Sequence, residues 1–315
     1  NVLATSSGQN HIHPSEPQYI WAEAGTNYGV LNDNDPYTEP AGTPNNVQTT
    51  TQHLCGLLQL AGFSWKSYQE DIDLASSNGK LTNLPLSADQ WTVPLVGFSG
   101  IFAAGSNLNE YNAGMQYNYA PKHNPMVFFT DTNGGDNTTT SNPLRFHYAP
   151  LQQLAFDLAD NRVADYNWIT PDQYNDQHSG LTGGFAGLTG DAAQIRAGDN
   201  AVSRLVPMIM ASKAYKDGGA IILWWDETEK DGETGDNADD LSHTIGEIVI
   251  SDLARPNVSG LPYASSVDMT HSSDLRTMQE IFHLRAQGSS PWLGDAANAN
   301  DLSDLFAPGV IPTHP

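Results

Sequence analysis

An uninterrupted apolar run from Ala220 to Trp225 is the strongest structural signal in the chain. It follows Gly218-Gly219 and a segment whose apolar residues have helical spacing, namely Val202, Leu205, Val206 and Ile209. A continuous apolar run of this length is typical of a strand buried on both faces of a parallel sheet. A helix leading into such a strand is the repeating unit of α/β folds, so the run predicts that class.

Weaker patterns of the same two kinds recur along the chain. Helical spacing predicts three further helices, at Leu54 to Ala61, Leu154 to Leu158, and Leu275 to Phe282. Alternation or short apolar runs predict strands at 64–68, 126–129, 166–169 and 247–250. Gly62 is expected to cap its helix, and Pro207 predicts a kink or a late start of the helix that contains it. The chain is therefore predicted to be α/β with a mainly parallel central sheet, in a single domain over residues 1–315.

Charge and composition narrow the function classes. The 315 residues include 36 acidic and 13 basic side chains, a net charge of −23. Such a surface repels nucleic acid and anionic membranes, so we expect no nucleic-acid partner. Cys55 is the only cysteine, which excludes an internal disulfide, and no apolar run is long enough to predict a transmembrane segment. The sequence starts at Asn1, so we expect a removed leader or a longer precursor.

Two adjacent carboxylates, Asp226 and Glu227, follow directly after the apolar run. Ligands of α/β sheets gather at the carboxyl ends of strands. Oxygen donors of this kind are preferred by hard divalent cations. The pair is thus a candidate metal site, with a solvated strand-to-loop junction as the alternative.

A serine flanked by prolines is the second candidate. Pro14 and Pro17 stiffen the chain around Ser15, which would present its hydroxyl from a rigid loop. A serine needs activation by a base or a metal to act as a nucleophile, and His13 is a possible base. A polar turn is one alternative, and a zinc site using His11 and His13 is another.

Three histidines lie in polar, loop-like sequence contexts: His123, His178 and His243. Imidazole groups can bind a phosphate or protonate a leaving oxygen. Each is also compatible with an ordinary hydrogen-bonded surface histidine. The acidic segment Glu229 to Asp240 lacks EF-hand spacing and is interpreted as a solvated loop.

These pieces occur together, and in order, in one known family. The sequence resembles the bacterial and fungal phosphoesterases, which include acid phosphatases and phosphocholine-type phospholipases C. The motifs that carry the resemblance span most of the chain and lie at 13–19, 23–29, 61–70, 122–125, 166–171, 175–178, 214–227 and 270–277.

The resemblance implies an alkaline-phosphatase-like three-layer sandwich and one bound divalent cation, either calcium, magnesium, zinc or another. Ser15 would be the nucleophile, attacking phosphorus to give a phosphoseryl intermediate and also contacting the metal. Asp226 and Glu227 would be metal ligands. The substrate would be a phosphate-ester small molecule or a phospholipid head group, and the protein would be secreted or periplasmic.

The same resemblance assigns substrate-binding roles. His123 and His178 would hold the phosphate, and one of them, His178 by preference, would protonate the leaving group. Gln18 stands where the family commonly has an asparagine that contacts a phosphate oxygen. His243, on its residue type and context and not on the resemblance, is a further candidate phosphate contact.

One feature of the family is missing from this sequence. Its first metal ligands are a Glu-Asn pair well upstream of the serine motif, and this sequence starts too close to Ser15 to contain them. We therefore expect a chain that lacks the N-terminal segment of the fold. The alternative function is a secreted binding protein that keeps the fold and has impaired catalysis.

Overall fold

The computed structural model of the chain describes residues 3–4, 10–11, 14–38, 43–77, 80–101, 116–178, 183–227 and 245–312. Within these ranges the α-helices, numbered in chain order, are α1 (Ser15–Ala24), α2 (Leu54–Ala61), α3 (Thr130–Asn133), α4 (Gln153–Ala159), α5 (Asp191–Ala211), α6 (Lys213–Lys216) and α7 (His271–Ile281). The strands are β1 (Leu3–Ala4), β2 (Asn10–His11), β3 (Tyr37–Thr38), β4 (Thr43–Pro44), β5 (Trp65–Gln69), β6 (Leu74–Ser77), β7 (Lys80–Pro85), β8 (Phe98–Ile101), β9 (Gln116–Tyr119), β10 (Tyr148–Pro150), β11 (Tyr166–Thr170), β12 (Ile221–Trp224) and β13 (Glu247–Ile250). The fold is mixed α/β.

The chain divides into two compact units that interleave along the sequence. Unit 1 comprises Asn1–Asn34, Gln48–Phe63 and Gly218–Pro315, and unit 2 comprises Asp35–Val47 and Ser64–Asp217. The prediction of a single domain over 1–315 stays a prediction. In the ranges that the structure describes, no helix combines the length and apolarity needed to cross a membrane.

Unit 2 is built on a three-stranded parallel sheet in the order β10-β5-β11. β5 is the central strand, and its Tyr68 is fully buried against Ala149 of β10 and the apolar face of α4. Leu205 and Ile209 of α5 pack on the same cluster. The helical spacing that predicts α4 and α5 therefore marks the faces that these helices turn towards the core.

Unit 1 joins three helices and a two-stranded antiparallel sheet. Helix α1 packs against α7, and α2 contacts both. Strands β12 and β13 pair antiparallel, and Ile222 and Val249 pack against a buried cluster of Leu302, Phe306 and Ile311. This small sheet carries the predicted Asp226-Glu227 pair at the end of β12.

Several sequence predictions need correction. The strand predicted at 126–129 is a 3₁₀ helix at Pro125–Phe128, since proline suits the first position of a helical turn and short buried apolar runs fit either structure. β12 is half-buried and antiparallel, whereas the apolar run predicted a strand buried on both faces. Parallel pairing joins all three strands of the β10-β5-β11 sheet, which confirms a parallel sheet, whereas the other described strands form separate antiparallel pairs. The three-layer sandwich is not confirmed.

Pro207 lies inside its helix. Helix α5 starts at Asp191 and runs past Pro207 to Ala211. The late start is therefore wrong, and the kink stays a prediction. The predicted helix Leu54 to Ala61 is confirmed with Gly62 as its left-handed cap, as are strands at 166–170 and 247–250.

At the carboxyl ends of β5 and β11, unit 2 buries a pair of acids. The Oε2 atom of Glu70 accepts a hydrogen bond from the Asp172 N–H at 2.9 Å, and Asn175 Nδ2 donates to both Glu70 oxygens at 3.1 and 3.0 Å. Asp172 Oδ1 in turn accepts from the N–H groups of Tyr174 and Asn175. Burial raises the pKa of Glu70 to about 8, and burial together with the Glu70 charge raises that of Asp172.

This pair predicts a pH-dependent stability. The folded state holds the Glu70 proton between the ordinary pKa of 4.5 and about 8, whereas the unfolded chain releases it, so the free energy of unfolding falls as pH rises through that window. Glu70→Gln removes this ionisation. Between those two pH values, the free energy of unfolding measured with urea should fall by at least about 2 kcal/mol more in the wild type than in the variant. Each unit of pKa shift contributes ~1.4 kcal/mol. An equal fall of the free energy of unfolding with pH in both proteins would contradict the raised pKa of Glu70.

Two cap glycines offer a matched comparison of local packing. Gly25 ends α1 and Gly62 ends α2, both in the left-handed conformation. A Cβ on Gly25 would lie 2.5 Å from the carbonyl oxygen of Leu293, whereas one on Gly62 meets no atom within 4 Å. The end of α1 is therefore packed directly against the 293–295 backbone.

Substituting each glycine by alanine should separate the energetic cost of backbone strain from the cost of steric overlap. Gly62→Ala should cost about 1–2 kcal/mol, the ordinary penalty for alanine in this conformation. Gly25→Ala should cost about 1–3 kcal/mol more because the backbone around Leu293 must move. Urea unfolding curves of the two variants measure the difference, and equal losses would show that the close approach is not maintained.

Candidate active site

Ser15 is the first residue of α1. Pro14 precedes it in an extended conformation (φ −79°), and the next N–H along the helix, that of Glu16, donates to Asp33 Oδ1 at 3.0 Å. The stiff proline-flanked sequence thus forms a helix start instead of the predicted loop. A helix N-terminus carries partial positive charge, which favours an anion such as a phosphate or a serine alkoxide.

A hydrogen bond joins Ser15 to the predicted carboxylate pair. Ser15 Oγ donates to Glu227 Oε1 at 2.7 Å, across 212 positions of sequence. Glu227 and its neighbour Asp226 lie in the turn after β12, both half-buried. Because the two sites were predicted from separate motifs, their meeting within unit 1 is a finding of the structure.

Gln18 lies on α1 three residues after Ser15 and is 1% exposed. Residues three apart on a helix share a face, so Gln18 and Ser15 are neighbours on the side of α1 that faces the protein. This location suits the amide contact that the resemblance implies for Gln18. Its role as a phosphate ligand stays a prediction.

The donor set of this site fits a hard divalent cation. A serine hydroxyl and two carboxylates offer only oxygen atoms, which calcium and magnesium prefer and zinc accepts. Within the described ranges, no group of three or more His, Cys, Asp or Glu side chains has the arrangement of a metal site. Of these oxygen donors, the structure brings Ser15 Oγ and Glu227 Oε1 together.

His123 lies in unit 2, where β11 holds its backbone in place. It ends the 3₁₀ helix Pro121–His123, and its carbonyl oxygen accepts hydrogen bonds from Trp168 Nε1 at 2.9 Å and Thr170 Oγ1 at 3.0 Å. The side chain is buried. Burial is the main reason that the pKa of His123 falls to about 3, and charge on Lys122 and His178 lowers it further. His123 is thus neutral at mildly acid pH.

His178 is exposed in the loop that follows β11, in the same unit. Its N–H donates to Asp176 Oδ1 at 2.8 Å, and its carbonyl accepts from Gln194 Nε2 at 2.8 Å, which ties the loop to α5. The preceding Gln177 has a positive φ of 73°. His178 and His123 are close enough for the charge of one to influence the other.

Some predicted residues cannot be placed. His243, His13 and the acidic segment Glu229 to Asp240 lie outside the described residues. His11 belongs to β2, which pairs with β1, and its side chain is not described. The alternative zinc site at His11 and His13 therefore stays a prediction, as does the phosphate contact of His243.

One buried histidine beside the carboxylate turn was given no role by the sequence. His271 Nε2 lies 3.1 Å from the carbonyl oxygen of Trp225, the residue immediately before Asp226. The residue falls within one of the family-like motifs, 270–277, but its neighbours in sequence carry no sign of this contact. Only the packing of α7 against β12 reveals it.

Comparison with known proteins agrees with the sequence resemblance. A model of the phosphoesterase family matches residues 8–285. The chain is 23% identical over 297 residues to a probable acid phosphatase of Kluyveromyces lactis, covering 93% of this chain and 55% of that protein. It is 26% identical over 220 residues to a phosphate-repressible acid phosphatase of Penicillium chrysogenum, covering 68% and 38%.

A third relative is an acid phosphatase of Aspergillus fumigatus, 28% identical over 166 residues, or 53% of this chain and 28% of that protein. The chain thus spans about half the length, or less, of these curated relatives. Because the family model matches most of the sequence, this chain belongs to the phosphoesterase family.

Proposed function

We propose that the protein is a phosphoric ester hydrolase of the acid phosphatase type, with Ser15 as its nucleophile and a divalent cation at Asp226 and Glu227. Family membership and the names of the relatives support the reaction class. The observation that carries the site is the 2.7 Å hydrogen bond from Ser15 Oγ to Glu227 Oε1. Phosphate monoesters are the preferred substrate class, because the relatives are acid phosphatases.

The chain's own groups prepare Ser15 for attack. Its position at the start of α1 stabilises negative charge on Oγ, and the Glu227 carboxylate orients the hydroxyl and can accept its proton. A bound divalent cation would supply Lewis-acid stabilisation of the phosphoryl oxygens and lower the pKa of the hydroxyl. Phosphoryl transfer needs mainly such charge stabilisation and positioning.

The reaction then proceeds in two displacements. Ser15 Oγ forms a bond to phosphorus, the bond from phosphorus to the leaving oxygen breaks, and the Ser15 proton passes to Glu227. The leaving oxygen takes a proton from a general acid and departs as the alcohol. Water then attacks the phosphorus of the phosphoseryl intermediate and gives a proton to the deprotonated general acid. The bond from phosphorus to Ser15 Oγ breaks, Oγ takes back the proton held by Glu227, and phosphate is released.

The two histidines of unit 2 suit different roles. His123 is neutral at mildly acid pH because burial lowers its pKa to about 3, so it is suited to donate a hydrogen bond to a phosphate oxygen and unsuited to deliver a proton as imidazolium. His178 is exposed in the loop that follows β11. We keep for it the general-acid role that the family resemblance implies.

Removal of the nucleophile should abolish turnover. Ser15→Ala should lower kcat on p-nitrophenyl phosphate by ~10³-fold or more, because no other hydroxyl occupies the start of α1. Ser266→Ala changes an exposed serine of unit 1 and serves as the control, with wild-type activity expected. A folded Ser15→Ala protein with unchanged kcat would exclude the nucleophile assignment.

Removal of a carboxylate should weaken cation binding. Asp226→Asn should lower the affinity of chelator-treated protein for calcium, magnesium and zinc, each titrated calorimetrically, by about 10-fold or more. Asp268→Asn alters an exposed acid of the same unit and should bind as the wild type does. Equal metal content in both variants would remove Asp226 from the site.

Binding of phosphate without any hydrolysis would favour the alternative of an impaired binding protein.

Removal of the general acid should depend on the leaving group. His178→Asn should lower kcat on glycerol 2-phosphate by about 100-fold, since an alkoxide leaves poorly without a proton. Hydrolysis of p-nitrophenyl phosphate should fall less than about 10-fold, because p-nitrophenolate is stable. Equal losses on both substrates would indicate a binding role for His178.

A parallel assay with p-nitrophenylphosphorylcholine tests the phospholipase C alternative on the wild type.

A further inference from the structure

The turn that carries Asp226 and Glu227 is held from behind by α7. His271, the first residue of that helix and 1% exposed, places Nε2 3.1 Å from the carbonyl oxygen of Trp225. A carbonyl can only accept a hydrogen bond, so Nε2 is the protonated ring nitrogen. This bond anchors the backbone one residue before the carboxylate pair.

Ring packing adds a second connection at the same place. The His271 ring lies 4.4 Å from the ring of Trp224, centroid to centroid, at an interplanar angle of 45°. The other neighbour of Trp224 is Tyr19 of α1, at 6.1 Å. Trp224 therefore lies between the helix that bears Ser15 and the helix that bears His271.

The first turn of α7 is itself fixed in position. Thr270 and Ser273 form a reciprocal capping box at its start. Ser272 Oγ accepts a hydrogen bond from Trp21 Nε1 of α1 at 2.8 Å and donates one to Asp295 Oδ2 at 3.1 Å. His271 thus extends from a turn that is bonded both to α1 and to the 293–295 segment.

The protonation state of the His271 imidazole suits a fixed hydrogen bond to the Trp225 carbonyl. Burial lowers the pKa of His271 to about 3, so the ring stays neutral at mildly acid pH. A neutral ring keeps one N–H for the Trp225 carbonyl and adds no positive charge beside a cation site. A lysine or arginine at this place would repel the cation.

We infer that His271 is a positioning residue that holds the Asp226-Glu227 turn at the distance from Ser15 that cation binding and attack require. The inference rests on the proposed function, because it concerns the same site. Partners that orient the ligands of a metal typically change its affinity or the activity by about 10–100-fold when they are removed. A buried histidine with a merely structural role would change stability and leave cation affinity intact.

Three variants of the 315-residue chain separate these roles. His271→Phe keeps a ring beside Trp224 but removes the donor to Trp225, whereas His271→Gln loses the ring and restores an N–H donor. His283→Asn is the control, since His283 is exposed at the other end of α7 and its positive φ of 52° suits asparagine. Circular dichroism and thermal melting establish that each variant is folded.

Calcium, magnesium and zinc are titrated separately into each chelator-treated variant, and kcat and KM are measured on p-nitrophenyl phosphate. We expect His271→Phe to weaken cation affinity by about 10-fold or more and to lower kcat more than it raises KM. His271→Gln should recover at least half of the lost binding free energy, and His283→Asn should match the wild type.

The outcomes distinguish this inference from the proposed function. If Asp226→Asn weakens cation binding and His271→Phe does not, His271 has no positioning role and the proposed site stands. If the wild type binds no cation and Ser15→Ala is fully active, the proposed function fails first. If His271→Phe does not fold, His271→Gln decides the question, because a Gln variant that binds cations no better than Asp226→Asn despite its donor overturns the inference.

Discussion

The hydrogen bond between Ser15 and Glu227 is the contact on which the proposed chemistry depends. It joins residues that are 212 positions apart in the sequence. Its length therefore depends on the contacts that fix α1 and the turn after β12. Asp33 holds the start of α1, and the 293–295 backbone holds its end at Gly25. His271 holds the turn on the other side. Several structural contacts around Ser15 and Glu227 therefore maintain the short distance between these two side chains.

Buried ionisable groups give both units an electrostatic character suited to acid conditions. Burial raises the pKa of Glu70 in unit 2 to about 8 and that of Glu247 in unit 1 to about 7. The same physical cause lowers the pKa of His123 and His271 to about 3. These acids and histidines are therefore uncharged together at mildly acid pH, and the interior then avoids isolated charges.

Local sequence patterns predicted well wherever one face of an element is strongly marked. Helix α2 matches its predicted bounds, because its apolar spacing leaves one arrangement that buries Leu54, Leu57 and Leu58. Short apolar runs were less informative. The run at 126–129 folds as a 3₁₀ helix, and the run before Asp226 pairs antiparallel with a strand 26 residues further on. Apolarity alone specifies neither the backbone geometry of such a run nor the direction of its partner.

The sequence by itself determined the family, the positions of several helices and strands, and the kinds of side chain available for chemistry. It could do so because ordered motifs and hydrophobic periodicity are properties of neighbouring residues. The resemblance also implied that Ser15 lies near Asp226 and Glu227, whereas only the tertiary structure gave the direct hydrogen bond from Ser15 to Glu227, the contact of His271 with Trp225, and the neutral state of His123. Contact and desolvation depend on groups far apart in the chain, and no local pattern encodes which of them will be brought together.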